Sequence, residues 1–233
     1  MQTTWSFQTI GVIRSPFKQK FGIPRQAGLA QSASAQLILI APFNCPQAVA
    51  GLSQFSHLWL TFVFHQNNAH KWQPSVRPPR LGGNKKIGVF ASRSPFRANP
   101  LGLSAVKLER IEAAEQTMIL HLSGIDLMDG TPILDIKPYI KYADCLNQAH
   151  SGFAENKPCH QKQVIFSDLA LRQIQQHTEK NLKQLIIETL QLDPRPAYQK
   201  DNPKRLYGML LFDLDIQWQV INEQIKVVAL IPI

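Results

Sequence analysis

The feature that most limits the fold is a series of short apolar segments, separated by turn-forming residues, between residues 7 and 139. The segments are rich in β-branched and aromatic residues, as strands are. No helical periodicity long enough for a βαβ crossover lies between them, which favours an antiparallel barrel or rolled sheet over a doubly wound parallel sheet. We predict strands at residues 7–13, 36–40, 57–64, 87–90, 104–108, 117–122 and 132–136. This pattern is compatible with a barrel of six or of seven strands.

The last third of the chain has a different pattern. A polar stretch at residues 144–161 predicts a linker, Ser167 is placed to cap a helix, and apolar residues from Leu169 to Leu190 have helical spacing. Three further strands are predicted at residues 206–211, 216–220 and 226–230. The predicted fold is therefore mainly β, with an N-terminal antiparallel β-barrel at residues 1–145 and a small α+β C-terminal domain at residues 146–233.

Charge is distributed very unevenly along the chain. The 233 residues carry a net charge of +9, yet the first acidic residue is Glu109, and the preceding segment contains twelve Lys and Arg. The following 125 residues contain thirteen bases and sixteen acids. A locally cationic surface attracts polyanions, so nucleic acid, a phosphorylated ligand or acidic lipid is the expected partner, lipid being the least favoured.

Neither a membrane span nor a disulfide framework is indicated. No run approaches the roughly 18 to 20 apolar residues that cross a bilayer, and residues 1–9 lack the features of a signal peptide. The three cysteines, Cys45, Cys145 and Cys159, are odd in number and have no C-x-x-C spacing. We therefore expect a cytoplasmic protein with free thiols and without a zinc site.

Two short motifs at the ends of predicted strands combine polar side chains with turn residues. In the first, Pro24 and Gly28 shape a turn from which Arg25 and Gln26 project a cation and a two-way hydrogen bonder. In the second, His65 and Gln66 close an apolar strand. An exposed turn and a structural imidazole are the alternative interpretations.

The third motif is the basic region around residues 77–102. Seven bases occur from Lys71 to Arg97 among closely spaced prolines, which restrict the backbone and so lower the entropic cost of presenting cations to phosphates or carboxylates. The glycine spacing is not that of a Walker or dinucleotide loop, and tight turns alone are the structural alternative. The Arg-Ser-Pro-Phe sequence shared by residues 14–17 and 93–96 is treated as chance. The RNA-binding candidates here are Arg77, Arg80, Lys85, Lys86 and Arg97.

The fourth motif brings carboxylates together at residues 125–139. Asp126 and Asp129 precede the turn Gly130-Thr131-Pro132, and Asp135 lies within the next strand. An acid in a strand needs a partner or a chemical role. A pairing of Asp135 with a base, such as Lys137 or an arginine of the third motif, is the structural alternative.

These four motifs, in this order, resemble those of the TsaA-like family. The resemblance rests on residues 24–26, 65–66, 77–80, 93–97, 99–102 and 129–139, and Asp193-Pro194-Arg195-Pro196-Ala197-Tyr198 resembles the tail motif of its full-length bacterial members, the TrmO-type tRNA methyltransferases. One departure is Ala98, where the family pattern has proline.

The resemblance implies a β-barrel methyltransferase of non-Rossmann type that uses S-adenosylmethionine. Its substrate would be N6-threonylcarbamoyladenosine at position 37, next to the anticodon of threonine tRNA, and similar proteins are homodimers with the cofactor site close to the subunit contact. Carried over to this chain, the cofactor contacts are Pro24, Arg25, Gln26, His65, Gln66, Arg93, Leu103, Asp126, Leu127, Met128 and Asp129.

The acceptor nitrogen in such a substrate belongs to a urea-like group, in which its lone pair is delocalised. It is therefore a poor nucleophile until its N–H bond is weakened. Methyl transfer needs an in-line approach and a proton acceptor or polarising hydrogen bond. We expect Asp129 or Asp135 in that role, with His65 and Tyr198 as lesser candidates. Arg195 and Tyr198 are also predicted to contact RNA, Arg195 through a phosphate and Tyr198 through an unstacked base. The alternative interpretation is that this proline-rich motif only ends a helix.

Two other functional classes fit parts of the pattern. The basic first half alone indicates a non-catalytic RNA-binding adaptor, although the clustered Asp126, Asp129 and Asp135 do not suit pure phosphate binding. The other class is a sensor that binds S-adenosylmethionine without turnover.

Overall fold

A computed structural model of the protein describes residues 3–66, 72–158, 162–196, 199 and 202–233. Its first part contains eight strands, six of which close into a barrel in the order β1-β2-β7-β6-β3-β8. Every neighbouring pair in this barrel is antiparallel. The strands are β1 (Gly11–Arg14), β2 (Ser34–Leu39), β3 (His57–Val63), β4 (Ser75–Val76), β5 (Ile87–Gly88), β6 (Leu101–Ala114), β7 (Thr117–Ser123) and β8 (Pro132–Pro138).

The prediction of a mainly β fold with an antiparallel barrel is confirmed, while several strand boundaries differ. β6 continues to Ala114 because a bulge between Leu108 and Arg110 lets its pairing with β7 resume. The predicted strand at residues 87–90 has only two strand residues, since β5 pairs with the short β4 outside the barrel. A 3₁₀ turn, Val89–Ala91, follows it.

The barrel interior is filled by alternate residues of each strand. Leu58, Leu60 and Phe62 of β3 are buried, and the residues between them face outward. Gly102 of β6 lies opposite Phe62, where an added Cβ would be 2.1 Å from the ring. Only glycine fits there, because any side chain would displace the aromatic ring.

The second part is a four-stranded sheet with two helices, and a four-residue helix precedes it in the chain. Its order is β10-β11-β12-β9, and β9 runs parallel to β12. The elements are α1 (Lys141–Asp144), β9 (Val164–Phe166), α2 (Asp168–Gln176), α3 (Leu182–Gln191), β10 (Tyr207–Leu211), β11 (Leu214–Ile221) and β12 (Gln224–Pro232). Ser167 caps α2 as predicted, since its hydroxyl accepts a hydrogen bond from the Ala170 N–H at 3.0 Å. β9 was not predicted.

The two parts share one continuous apolar core. Phe17, from the segment after β1, is fully buried and pairs with Leu211 of β10, and the Phe212 N–H donates to the Pro16 carbonyl at 2.8 Å. Farther along, Glu188 of α3 accepts hydrogen bonds from the Ser32 N–H at 2.8 Å and from its hydroxyl at 3.0 Å. Residues 16–32 are therefore bonded to the α+β part at both ends of the segment. This segment includes the first predicted motif.

Within the described ranges, no helix combines the length and apolar character needed to cross a membrane. Cys45 and Cys145 have free thiols, and Cys159 lies outside the described residues.

The contact between Glu188 and Ser32 is testable through stability. Glu188→Ala removes both acceptors and leaves the Ser32 donors unpaired, so we expect the free energy of unfolding to fall by about 1–3 kcal/mol. Urea denaturation measures this. Glu179→Ala, at an exposed residue, is the matched control and should change stability by less than about 0.5 kcal/mol. Equal stability of Glu188→Ala and the parent would show that the hydrogen bonds between Glu188 and Ser32, which we call the clamp, do not stabilise the fold.

Candidate active site

The loop at residues 124–130, between β7 and β8, is fastened to the segment that follows β1. The Ser15 hydroxyl donates to the Leu127 carbonyl at 2.8 Å, and the Ser15 N–H donates to Asp129 Oδ1 at 2.9 Å. In return, the Asp129 N–H donates to the Phe17 carbonyl at 2.9 Å. These three bonds fix the backbone of the loop that carries Asp126 and Asp129.

The first and third motifs meet beside this loop. The Gly28 N–H donates to the Gly124 carbonyl at 2.8 Å, and a Cβ added at Gly124 would lie 3.4 Å from the Gly28 Cα. Gly124 also has a φ of +67°, so both its backbone conformation and the close approach favour glycine. Arg93 of the basic region donates through Nη1 to Gln26 Oε1, which joins the third motif to the first.

The second motif completes the group. His65 follows β3, and a Cβ added at Gly130 would lie 4.0 Å from His65 Nε2. Burial lowers the pKa of His65, a backbone hydrogen bond with Val63 opposes this, and the nearby Lys20 lowers it further. The imidazole is therefore mainly neutral at pH 7. We call residues 24–28, 65–66, 93 and 124–130 the loop cluster.

Asp126 is the carboxylate of the loop cluster that has a buried oxygen atom. Burial raises its pKa to about 6, although hydrogen bonding to Ser104 and to backbone N–H groups, and the charge of Arg93, oppose the shift. Its Oδ1 atom is buried and has no hydrogen-bond partner among the described residues. A buried carboxylate oxygen without a donor is costly, so this atom is suited to receive a donor from a ligand.

The two carboxylates favoured for catalysis have protein partners. Asp129 Oδ2 lies 3.0 Å from Lys18 Nζ and 3.8 Å from Arg14 Nη1. Asp135, on β8, forms an ion pair with Lys137 and accepts a hydrogen bond from the Ile136 N–H at 3.0 Å. Asp135 is therefore paired with Lys137, as the structural alternative predicts. Asp129 also holds the loop in place through its hydrogen bond with Ser15.

The remaining predicted cofactor residues fall into two groups. Pro24, Leu127 and Met128 are buried, so Leu127 and Met128 offer a ligand mainly their backbone. Gln66 is exposed, and its carbonyl accepts a hydrogen bond from Lys20 Nζ at 2.9 Å. Leu103, on β6 opposite Thr61, is 54% exposed on the outer face of the barrel.

The predicted RNA-binding bases also divide. Arg77, Lys85 and Lys86 are exposed. Arg80 donates to the Ala154 and Asn156 carbonyls, which ties the basic region to the segment between the two parts of the chain. Arg97 donates to the Val89 and Ser92 carbonyls at 3.3 and 2.6 Å, so its guanidinium is turned toward its own loop.

Arg195 has a different environment from the one predicted. It is only 6% exposed, and it holds Asp193 through Nε at 2.8 Å and Nη2 at 2.7 Å. This placement does not match a direct phosphate contact, because a buried arginine needs its carboxylate partner. Tyr198 lies outside the described residues.

The Asp193 carboxylate acts electrostatically on Arg25 of the loop cluster. Partial burial lowers the pKa of Arg25, while the Asp193 carboxylate raises it and the charge of Arg80 lowers it. The tail motif is therefore within electrostatic reach of the first motif.

Sequence reasoning missed the residues that fasten these loops: Ser15, Lys18, Ser32 and Glu188. One signal existed, the repeated Arg-Ser-Pro-Phe. In both copies the serine hydroxyl accepts a hydrogen bond from the phenylalanine two residues on, Phe17 and Phe96, at 3.3 Å. The repeat therefore marks two similar turns, which flank the loop cluster.

The raised pKa of Asp126 predicts a pH-dependent stability. In the unfolded chain an aspartate titrates near 3.9, so the folded protein binds this proton more tightly, and stability falls as the pH rises from about 4 to about 6. Without ligand, Asp126→Asn should be more stable than the parent at pH 7 by about 2–3 kcal/mol. Urea unfolding from pH 4 to 8 measures the difference, which should shrink toward pH 4. A difference independent of pH would contradict the assignment.

Comparisons with known proteins identify the family. A family model described as the tRNA-methyltransferase O N-terminal domain matches residues 12–145, and one described as the TrmO C-terminal domain matches residues 160–233. The chain is 46% identical, over 99% of both chains, to the tRNA (adenine(37)-N6)-methyltransferase of Escherichia coli K12. It is 49% identical, over 92% of both, to a protein of Pseudomonas aeruginosa named as a putative S-adenosylmethionine-dependent methyltransferase, RcsF.

Solved structures agree with the sequence relatives. A crystal structure of TrmO from Pseudomonas aeruginosa superposes with a TM-score of 0.79 at 39% identity, over 98% of both chains. A second crystal structure of TrmO has a TM-score of 0.80 at 40% identity, over 98% of this chain and 99% of the other. With both halves matched and near-complete coverage, this chain belongs to the TrmO family of S-adenosylmethionine-dependent tRNA methyltransferases.

Proposed function

We propose that this protein transfers a methyl group from S-adenosylmethionine to N6 of adenosine 37 in tRNA. The observation that carries the proposal is the convergence of all four sequence motifs on one loop cluster, around a buried Asp126 oxygen without a partner among the described residues. The family relationship supplies the reaction class. The finer proposal is that the substrate is threonine tRNA in which this adenosine already bears a threonylcarbamoyl group.

The residues of the loop cluster suit the cofactor chemically. S-adenosylmethionine combines a carboxylate, an ammonium group, hydroxyl groups and a sulfonium. Arg25 and Arg93 can bind the carboxylate, and Asp126 Oδ1 can accept a hydrogen bond from an N–H or O–H donor. Pro24, Gln26, His65, Gln66 and Leu103 and the backbone of residues 126–129 are proposed to complete the site. When bound, the cofactor supplies an electrophilic methyl group.

The proton of the acceptor nitrogen must also be removed. Among the candidates His65, Asp129, Asp135 and Tyr198, we now rank His65 first. Its imidazole lies beside Gly130, and burial favours its neutral form, which can accept a proton. Asp129 is already ion-paired with Lys18 at 3.0 Å and Asp135 with Lys137, so positioning roles suit them better.

The partners and location follow from the same proposal. On the outer face of the barrel, the exposed Leu103 lies opposite Thr61, and the half-buried rings of Trp59 and Tyr139 have centroids 5.8 Å apart. The Asp135–Lys137 ion pair lies on the same face, because Asp135 pairs with Thr61 and Lys137 with Trp59. We propose that two copies pair through this face, in which apolar side chains surround one ion pair. Because tRNA is the substrate, we place the enzyme in the cytoplasm.

The dimer is testable through Leu103. Leu103→Arg places a charge in the proposed contact, so we expect sedimentation velocity to report monomer in place of dimer at micromolar concentration. Leu146→Arg, at an exposed leucine outside the barrel strands, is the matched control and should remain dimeric. A monomeric parent protein, or a dimeric Leu103→Arg variant, would contradict the proposal.

The role of His65 is testable by single-turnover methylation. We expect His65→Asn to lower the rate by about 10²- to 10⁴-fold, because general base catalysis is lost. The parent rate should rise with pH and level off, with a midpoint below the ordinary histidine value. His57→Asn, at the exposed start of the same strand, is the control. A parent-like rate for His65→Asn, with loss in Asp129→Asn or Asp135→Asn, would return the role to a carboxylate.

One experiment separates the proposed enzyme from the adaptor and the sensor. The protein is incubated with methyl-labelled S-adenosylmethionine and with threonine tRNA that carries or lacks the threonylcarbamoyl group. We expect label only in the modified tRNA, at adenosine 37. Cofactor binding without transfer would identify a sensor, and tRNA binding without cofactor binding would identify an adaptor.

A further inference from the structure

Phe90 is a large apolar side chain displayed on the surface of the basic region. It is 75% exposed and lies in the 3₁₀ turn Val89–Ala91 that follows β5. A single exposed phenylalanine is common and by itself indicates nothing. What distinguishes Phe90 is how its turn is held and which charges surround it.

Several hydrogen bonds hold the turn that carries Phe90. Val89 is buried, and its carbonyl accepts hydrogen bonds from the Ser92 N–H at 3.1 Å and the Ser92 hydroxyl at 2.8 Å. Arg97 donates to the carbonyls of Val89 and Ser92 on either side of Phe90. The Arg97 Cζ atom lies 5.8 Å from the centroid of the Phe90 ring, within cation–π range. Phe90 is therefore presented on a rigid support.

The segment that carries Phe90 has basic residues and no acidic ones. Residues 72–100 contain six Lys and Arg and no acidic residue. Trp72 and Phe96 are exposed as well, and their segments are joined by a hydrogen bond from the Gln73 N–H to the Phe96 carbonyl at 3.2 Å. Exposed aromatic rings among unopposed cations are the combination that binds single-stranded nucleic acid, through base stacking and phosphate contacts.

We propose that Phe90 is a stacking platform for an unpaired base of the RNA substrate, and that Arg97 is the residue that positions it. This rests on the proposed function, which supplies an RNA loop as the ligand. Three residues beyond Phe90, Arg93 contacts Gln26 in the loop cluster. Three residues span at most about 11 Å, so the base on Phe90 would belong to a nucleotide near the one that is methylated.

The role of Arg97 differs here from the phosphate contact predicted from the sequence. Its guanidinium already donates to two carbonyls and lies against an aromatic ring. The exposed Arg77, Lys85 and Lys86 remain suited to phosphates. Stacking and charge therefore make separable contributions, because only phosphate contacts change the salt dependence of binding.

The test measures tRNA affinity across a salt series with single variants of the full chain. We expect Phe90→Ala to weaken binding by roughly 5- to 150-fold, the range that corresponds to one lost stack, with an unchanged slope of log affinity against log salt. Phe90→Trp should bind like the parent, and Phe90→Leu should bind like Phe90→Ala. Phe55→Ala, a half-exposed phenylalanine just before β3, is the matched control and should change nothing.

Arg97→Ala distinguishes positioning from phosphate contact. As a support it should weaken binding with the slope unchanged, whereas a phosphate contact would reduce the slope by about 1. The variant with both Lys85→Ala and Lys86→Ala should reduce the slope by about 1 to 2. A slope change in Arg97→Ala would overturn its assignment as the positioning residue.

Further outcomes would overturn the platform itself. Parent-like binding by Phe90→Ala, or full affinity in Phe90→Leu, would exclude stacking. A changed sedimentation coefficient for Phe90→Ala with unchanged RNA affinity would assign the ring to a protein contact. Methyl transfer is recorded separately: if the parent protein binds tRNA through Phe90 but transfers no methyl group, the proposed reaction fails while the platform stands.

Discussion

The structure depends on the hydrogen bonds that join residues 13–17 to residues 127–130. Ser15 and Phe17 provide these contacts, with Leu127 and Asp129 opposite. They lie where β1 meets β8 and closes the barrel. Phe17 also enters the core that the barrel shares with β10. One short segment therefore closes the barrel, shapes the loop that carries Asp126 and packs against the α+β part.

This arrangement explains how the bases of the acid-free half are used. Lys18 neutralises Asp129, Arg93 contacts Gln26, and Arg80 and Arg97 bind backbone carbonyls. Cations with protein partners make rigid loops, and the exposed remainder is suited to phosphate. The absence of acids before Glu109 keeps these arginines from forming competing ion pairs within their own segment. Asp126 belongs to the other half of the chain, and its buried Oδ1 atom has no partner among the described residues.

Local patterns predicted the fold well, and long-range contacts were what they missed. The strands of the barrel and the cap at Ser167 were predictable because alternation and capping are local properties. The three-residue β9 has too little pattern to detect, and its parallel pairing with β12 joins residues about sixty positions apart. Similarly, the four motifs were predicted as site loops, but the burial of Arg195 against Asp193 and the clamp from Glu188 to Ser32 are products of tertiary packing.

The central claim is that the loop cluster binds the cofactor, with Asp126 accepting one of its hydrogen bonds. A crystal structure of the protein with S-adenosylhomocysteine, the product of methyl transfer, tests this directly. The account predicts the ligand between residues 24–28 and 124–130, with a donor atom within about 3 Å of Asp126 Oδ1 and its carboxylate next to Arg25 or Arg93. A ligand bound elsewhere, or one that leaves Asp126 Oδ1 without a partner, would contradict it.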